Sequence, residues 1–232
     1  MKGIAYGVGV GPGDPELMTL KAIRLIKEND VIAVPGDVPT ESVAYKIALQ
    51  AVPELASKHL VAIPMPMVKD RVALCKSHEA GAALIESYLA TGRNVVFLTL
   101  GDSSIYCTFT YLQAILEKHG YKTELVNGIP SFCATAARLN VPIAEWDESI
   151  HVIPAAHELC EGPENTERLP SGTCVLMKSG RHLKAVKELL RRSGKEACMV
   201  ENCGMQDEKL YRSLDEIPDE AGYFTLIIAK DL

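Results

Sequence analysis

The chain has 232 residues, of which 47% are hydrophobic and 23% charged, with 17 Gly and 13 Pro; this balance excludes intrinsic disorder and suits one large or two modest packed domains. Twenty-four basic residues against 30 acidic give a net charge of −6, whereas a protein that neutralises phosphates usually carries a basic excess or stripe, so nucleic acid is not an expected partner. The longest apolar runs, such as Val95 to Leu98 and Leu226 to Ala229, fall far short of the roughly 20 residues that span a bilayer, which leaves small molecules as the favoured partners.

The first residues, Met1 to Gly7, read as a strand running into glycines and lack the apolar stretch and cleavage site of a signal peptide, so a cytoplasmic protein is expected. A strand over Gly3 to Val10 is followed by a helix from about Pro15 to Glu28, with Leu17, Leu20, Ile23, Leu25 and Ile26 on its apolar face. Then come a strand at Val31 to Val34, a helix from Glu41 to Ala51, a strand at Leu60 to Ile63, a helix from about His78 to Thr91 and a strand at Asn94 to Leu98. A helix from about Ser104 to Lys118 and a strand at Lys122 to Val126 complete this half. Such alternation implies a mostly parallel sheet covered on both faces.

Asn127-Gly128-Ile129-Pro130 concentrates turn signals and marks the expected boundary between a domain over 1–127 and another over 128–232. Beyond it the sequence predicts a helix at Ser131 to Leu139, a strand at Ser149 to Ile153, and a polar stretch from His157 to Pro170 read as loop with a short helix. There follow a strand at Thr173 to Met177, a helix at Leu183 to Ser193, and strands at Ala197 to Glu201, Lys209 to Arg212 and Tyr223 to Ala229. Closing strands without long helices between them predict a mixed sheet. The fold class is thus two α/β domains, the first mostly parallel and the second mixed.

Seven Cys, at 75, 107, 133, 160, 174, 198 and 203, show neither Cys-x-x-Cys nor zinc-type His–Cys spacing. They read mostly as small buried hydrophobes, and no metal site is expected. Six scattered histidines read as surface or hydrogen-bonded structural residues.

Two segments are candidates for chemistry. Gly7-Val8-Gly9-Val10-Gly11-Pro12-Gly13-Asp14-Pro15 stands at the end of the opening strand. Its glycines either let the backbone approach a ligand or form a tight turn with none, and Asp14 before Pro15 is a helix N-cap pattern. A dinucleotide fingerprint is out of register, because the residue three after Gly9 is Pro12, and no Walker lysine follows. The second segment, Leu98 to Tyr106, closes a buried strand with Gly101-Asp102. Ligands of open α/β sheets collect at such carboxyl ends. Asp102 either caps the next helix or, with nearby amides, receives a zwitterionic amino-acid group.

With Leu20-Lys21-Ala22 after it, the Gly9-Val10-Gly11-Pro12-Gly13-Asp14 turn resembles the opening of the tetrapyrrole methylases, as does the Leu100-Gly101-Asp102 to Tyr106 loop. The resemblance covers nearly the whole chain and implies a two-domain enzyme dependent on S-adenosyl-L-methionine, usually a homodimer, with the active-site cleft between the domains. Thr99 to Phe109 and Glu201-Asn202-Cys203-Gly204-Met205 resemble the branch that methylates C20 of precorrin-2 or its cobalt form, although Cys107 stands where that branch has Ser. The uroporphyrinogen III methylases carry Gly-Gly-Asp-Pro in the loop, whereas here Leu100 precedes and Ser103 follows Gly101-Asp102. A diphthine synthase or ribosomal RNA methyltransferase is the more distant alternative.

What the resemblance implies for the site is cofactor contact by Pro35, Gly101, Asp102, Ser103, Tyr106, Ser131, Met177 and Asn202, with Asp102 or Tyr106 assisting loss of the proton from the methylated carbon. Its substrate is a tetrapyrrole polycarboxylate, cobalt-containing or metal-free. Between Lys178 and Lys195 the chain carries seven basic residues against Glu188 alone. This segment either faces the substrate carboxylates or is a solvated helix face.

Overall fold

A computed structural model describes residues 2–66, 68, 70–155 and 168–231. The chain divides into two compact units, Met1–Pro130 and Ser131–Leu232, so the division falls at the end of the Asn127 to Pro130 segment. Most of the polar stretch expected over His157 to Pro170, with Cys160, lies outside the described residues.

In the first unit β1 (Ile4–Gly9), β2 (Val31–Pro35), β3 (His59–Ile63), β4 (Val95–Thr99) and β5 (Lys122–Val126) form one sheet in the order β3-β2-β4-β1-β5. Every neighbouring pair is parallel. The near-continuous apolar runs of β2 and β4 follow from burial on both faces. Helices α1 (Leu20–Glu28) and α2 (Val43–Ala51) pack Leu25, Ile26, Ile47 and Ala48 onto the face that carries Val8, Ile32, Val34, Val96 and Leu98. The opposite face, with Ala5, Ala33 and Phe97, takes Ile85 and Leu89 of α3 (Arg71–Leu89) and Phe109, Leu112 and Leu116 of α4 (Phe109–Lys118).

Helix boundaries depart from the sequence expectation where local hydrogen bonding wins over periodicity. Asp14 accepts from the Glu16 N–H and starts only a 3-10 turn, Pro15–Leu17; α1 begins afresh behind Thr19, whose hydroxyl accepts from the Ala22 N–H. Leu20, expected on the apolar face, is therefore the first residue of α1 and exposed. Helix α3 starts seven residues before His78, because Asp70 caps it by accepting from the N–H groups of Val72 and Ala73. Helix α4 begins at Phe109 and not at Ser104.

The second unit contains α5 (Ser131–Leu139), β6 (Ile150–Pro154), β7 (Thr173–Met177), α6 (Leu183–Ser193), β8 (Lys195–Glu201), β9 (Lys209–Tyr211) and β10 (Thr225–Asp231). The sheet order is β6-β7-β10-β8-β9, with β6 and β7 parallel and the remaining pairs antiparallel, which is the expected mixed sheet. Helix α6 buries Leu183, Val186, Leu189 and Leu190 and closes at Gly194, whose φ of 65° is left-handed.

Three of the basic residues between 178 and 195 are bound within this unit. Lys187 donates to the Ile217 carbonyl at 2.6 Å and to Asp219 at 2.9 Å, Arg191 reaches Asp215 at 3.4 Å, and buried Lys195 pairs with Asp231 and donates to the Gly172 carbonyl. Lys187 and Lys195 are thus held in the structure, while Arg191 makes an exposed pair that fits the solvated helix face, the second of the two readings. The Arg181 side chain lies outside the described residues.

Among the six described cysteines Cys107, Cys174 and Cys203 are buried, Cys198 is half-buried, and Cys75 and Cys133 are exposed, so only half match the expected buried hydrophobe. Histidines 59, 119 and 151 are hydrogen-bonded, to Tyr88, Glu86 and the Ser171 carbonyl. Among the described residues no helix is long and apolar enough to cross a membrane, and no cluster of three His, Cys, Asp or Glu could hold a metal ion.

Candidate functional site at the strand carboxyl ends

The connections leaving β2 and β4, neighbours in the first sheet, run to opposite faces: β2 leads through α2 to β3, and β4 through α4 to β5. Adjacent strands whose loops diverge in this way open a crevice at their carboxyl ends. Pro35 ends β2, and Gly101, Asp102, Ser103 and Tyr106 follow β4. The fold thus gathers these five sequence-predicted residues along one edge of the sheet.

The neighbouring opening between β4 and β1 is closed by main chain. Gly11 and Gly101 form an antiparallel bridge, the Gly11 N–H donating to the Gly101 carbonyl at 3.2 Å and the Gly101 N–H to the Gly11 carbonyl at 2.8 Å. A Cβ on Gly9 would lie 2.6 Å from the Gly101 oxygen, and one on Gly128 only 2.1 Å from the same atom. Gly7 lies under the Phe109 ring, 2.2 Å from where its Cβ would be. Glycines 7, 9 and 128 therefore serve the chain's own close packing, and the ligand-approach reading of the opening turn fails for Gly7 and Gly9.

Gly36 and Gly101 differ. Both have positive φ, 115° and 71°, and a Cβ built at Gly36 meets nothing within 4 Å, while one at Gly101 meets only the Ile129 oxygen at 4.0 Å. The two glycines flank open room at the ends of adjacent strands. Because both polar groups of Gly101 are taken by Gly11, what Gly101 offers a ligand is that room and not its amide.

Asp102 is 5% exposed, and its carboxylate is committed within the protein. Oδ1 accepts from the Ser104 N–H at 2.8 Å and the Ser104 hydroxyl at 2.5 Å; Oδ2 accepts from the Gly128 N–H at 2.9 Å and the Asn127 side-chain amide at 3.3 Å. Burial alone would raise its pKa, but the bonds from Ser104, Gly128 and Asn127 outweigh it and hold the carboxyl below the ordinary carboxylate range. Asp102 caps no α-helix, since α4 starts at Phe109. It braces the loop after β4 to the loop after β5, a geometry poor for a general base.

Ser103 is fully buried, and its hydroxyl donates to the Val126 carbonyl at 2.9 Å, so its side chain faces β5 and only its main chain is left for a ligand. Tyr106 has φ of 48° and is about half exposed; a left-handed tyrosine is costly backbone that the surrounding loop must impose. Cys107 anchors the start of α4, with Sγ accepting from the Phe109 N–H at 3.3 Å and lying 3.3 Å from the Thr99 hydroxyl. Burial raises the pKa of its thiol and exceeds the opposing effect of these bonds.

In the second unit Met177 ends β7 and Asn202 follows β8, again at carboxyl ends. The backbone turns left-handed there at Lys178 (φ 59°) and at Asn202 itself (φ 54°). Ser131 opens α5, and one turn along that helix Thr135 is buried with no partner for its hydroxyl among the described residues. The Asn202 side chain donates to Asp207 at 2.6 Å. Glu201, which the sequence marks only as a strand end and as the first residue of the Glu201 to Met205 match, is a buried carboxylate at the end of β8.

Within the first unit, the open room beside Gly36 and Gly101 at the strand ends suits a ligand with mixed apolar and polar groups. Of the exposed apolar side chains of the first unit, Val38 comes after β2, Val68 and Val72 after β3, and Tyr106 and Tyr111 after β4 in the chain, while Leu20 opens α1 and Leu84 lies within α3.

Residues 5–218 match the family model described as Tetrapyrrole (Corrin/Porphyrin) Methylases. The chain is 34% identical to the probable cobalt-precorrin-2 C(20)-methyltransferase of Methanocaldococcus jannaschii, over 97% of this chain and 95% of the relative. It is 29% identical to the cobalt-precorrin-2 C(20)-methyltransferase of Salmonella typhimurium, over 99% and 97%. It is also similar to the crystal structure of the uroporphyrin-III C-methyltransferase of Thermus thermophilus complexed with S-adenyl homocysteine, with a TM-score of 0.70, 25% identity, and coverage of 98% of this chain and 97% of that one.

Proposed function

The chain belongs to the tetrapyrrole (corrin/porphyrin) methylases, and from that premise we propose that it is the S-adenosyl-L-methionine-dependent enzyme that methylates C20 of a precorrin-2-type tetrapyrrole in cobalamin biosynthesis. The observation that carries the reading is the agreement between two matched loops, at Gly9 to Asp14 and Leu100 to Tyr106, and relatives of the same reaction that the chain covers almost end to end.

When bound, S-adenosyl-L-methionine supplies a methyl group already activated by its sulfonium. The chain's residues then need to bind, orient and exclude water, with little acid–base machinery. Pro35, Gly101, Asp102, Ser103 and Tyr106 in the first unit and Ser131, Met177 and Asn202 in the second are the donor contacts of this proposal. Pro35 and Gly101 contribute by the room beside them, Ser103 by its main chain, and Asp102 by fixing the loop. Because the Asp102 carboxylate is committed to four donors, Tyr106 remains the candidate to handle the proton lost from the methylated carbon. Val68, Val72 and Tyr111 offer apolar surface to the macrocycle.

The name of the Methanocaldococcus jannaschii relative favours the cobalt-loaded substrate over the metal-free one, with any cobalt arriving as part of the substrate. A homodimer in the cytoplasm belongs to the same proposal; it is supported by fully exposed Trp146 and by Ile150, which stands exposed on edge strand β6. Anaerobic incubation with S-adenosyl-L-methionine and either cobalt-factor II or metal-free precorrin-2, followed by mass spectrometry, tests the reading. Gain of one methyl on the cobalt form is the expected result. Methylation of uroporphyrinogen III with neither of the others would overturn it.

A further inference from the structure

The second unit carries a counterpart to the Asp102 brace. Glu201, the last residue of β8, is 7% exposed. Its Oε1 accepts from the Gly222 N–H at 2.7 Å, and its Oε2 accepts from Lys209 Nζ at 3.3 Å. Gly222 is a hub for three strand ends. Its carbonyl accepts from the Thr225 hydroxyl at 2.7 Å at the start of β10, and a Cβ on Gly180, just beyond β7, would lie 2.0 Å from that carbonyl oxygen. Beside it the Ala221 N–H donates to the Gly180 carbonyl at 3.2 Å. Next to Glu201, the left-handed Asn202 donates its N–H to the Phe224 carbonyl at 2.9 Å and accepts from the Met205 N–H at 2.9 Å. One carboxylate therefore ties the turn after β8 to the 221–224 segment, which in turn lies against the turn after β7.

We infer that Glu201 is a positioning residue for the methyl donor: by gripping Gly222 it holds Asn202, and through the 221–222 segment the end of β7 at Met177, in the arrangement that receives the donor. The inference rests on the reading of Met177 and Asn202 as donor contacts. A buried carboxylate is suited to this task because a charge-assisted bond to a backbone N–H is shorter and stronger than a neutral one. A Cβ on Gly222 would lie 2.9 Å from Oε1, the movable end of the Glu201 side chain, so a side chain there would press on the carboxylate and not on backbone. Glu201 itself touches protein groups on every bond it makes here, so it acts through Asn202 and not on the reacting atoms.

Calorimetric titration of the full chain with S-adenosylhomocysteine, together with KM and kcat for S-adenosyl-L-methionine, tests the inference. Glu201→Ala is expected to bind about tenfold more weakly, the size of one lost charge-assisted hydrogen bond, with KM raised and kcat nearly unchanged. Glu201→Gln keeps an oxygen for Gly222 and should stay within about threefold of the wild type, which a role resting on charge alone would not allow. Gly222→Ala, which pushes the carboxylate tip aside without removing it, should weaken binding in the same direction by less than Glu201→Ala does, and it carries the test if Glu201→Ala does not fold. Wild-type affinity in folded Glu201→Ala or Gly222→Ala, even with a lowered Tm, would overturn the inference. A wild-type chain that binds no S-adenosylhomocysteine would instead overturn the donor reading on which it stands.

Discussion

The carboxylate of Asp102 accepts the backbone N–H of Gly128 at 2.9 Å across 26 positions of sequence, so the loop after β4 and the loop after β5 are one mechanical piece. Asp102→Ala removes four acceptor contacts and leaves the Gly128 N–H without its partner. It should weaken S-adenosyl-L-methionine binding about tenfold or more and cost about 1–3 kcal/mol of stability, with the fold intact by circular dichroism. Because the folded-state pKa of Asp102 is depressed below its ordinary 3.8, its stabilising contribution is complete above that ordinary value and is lost as pH falls through the lower folded value. The Tm difference between wild type and Asp102→Asn should therefore be constant above about pH 5 and shrink as the pH approaches 3. A difference that grew on acidification would contradict the assignment.

Gly128→Ala places a Cβ where the Gly101 carbonyl and Gly9 backbone already sit, at 2.1 Å and 2.8 Å. No flexible side-chain end is available there to move aside. The substitution should destabilise by about 3 kcal/mol or more, above the ordinary range for overpacking because the obstacle is backbone; urea denaturation measures it. Gly36→Ala is the contrast, since its Cβ meets nothing within 4 Å and only its φ of 115° opposes the change. It should cost less stability and act chiefly on ligand binding.

Cys107→Ser should leave activity and stability within about 1 kcal/mol of the wild type, because a hydroxyl can accept from the Phe109 N–H and bond to Thr99 as the thiol does. Buried and with its pKa raised by burial, the native thiol should resist alkylation by iodoacetamide at neutral pH, while exposed Cys75 reacts and Cys133, exposed but with its own thiol pushed up by burial, reacts more slowly. Peptide mass mapping separates the three. Ready labelling of Cys107 in the folded protein would show that the loop opens.

Lys187→Ala deletes the bonds to the Ile217 carbonyl and to Asp219. It should lower stability by about 1 kcal/mol and leave substrate affinity unchanged. A rise in KM for the tetrapyrrole with unchanged Tm would return this lysine to the substrate.

The sheet of the first unit was legible because β2 and β4 are unbroken apolar runs, and the strand-to-helix alternation leaves one way to cover them. Helix starts were less so. Asp70 was a readable N-cap before Val72 and Ala73, but the preceding Pro64 and Pro66 obscured it, and α3 was begun too late. At Asp102 the carboxylate accepts from the local Ser104 groups and also from Gly128, a partner whose proximity no local pattern records, and α4 starts only at Phe109. The residues of the candidate site were implied by the family resemblance, and the direction of Ser103 into β5 and the hub at Gly222 depend on contacts between segments far apart in sequence. The same holds for the basic stretch at 178–195: its charge was visible, whereas the carboxylates that claim Lys187, Arg191 and Lys195 lie 24 to 36 residues further on.

The junction of Gly9, Gly101 and Gly128 is a seam of bare backbone, with no side chain that substitution could enlarge, shrink or recharge. On the function proposed above, a relative that kept this fold and took another macrocycle would leave that seam alone and vary exposed positions such as Val68, Val72 and Tyr111. Grafting the rim of one methylase onto the seam of another is thus a shorter route to a new acceptor than redesigning the floor.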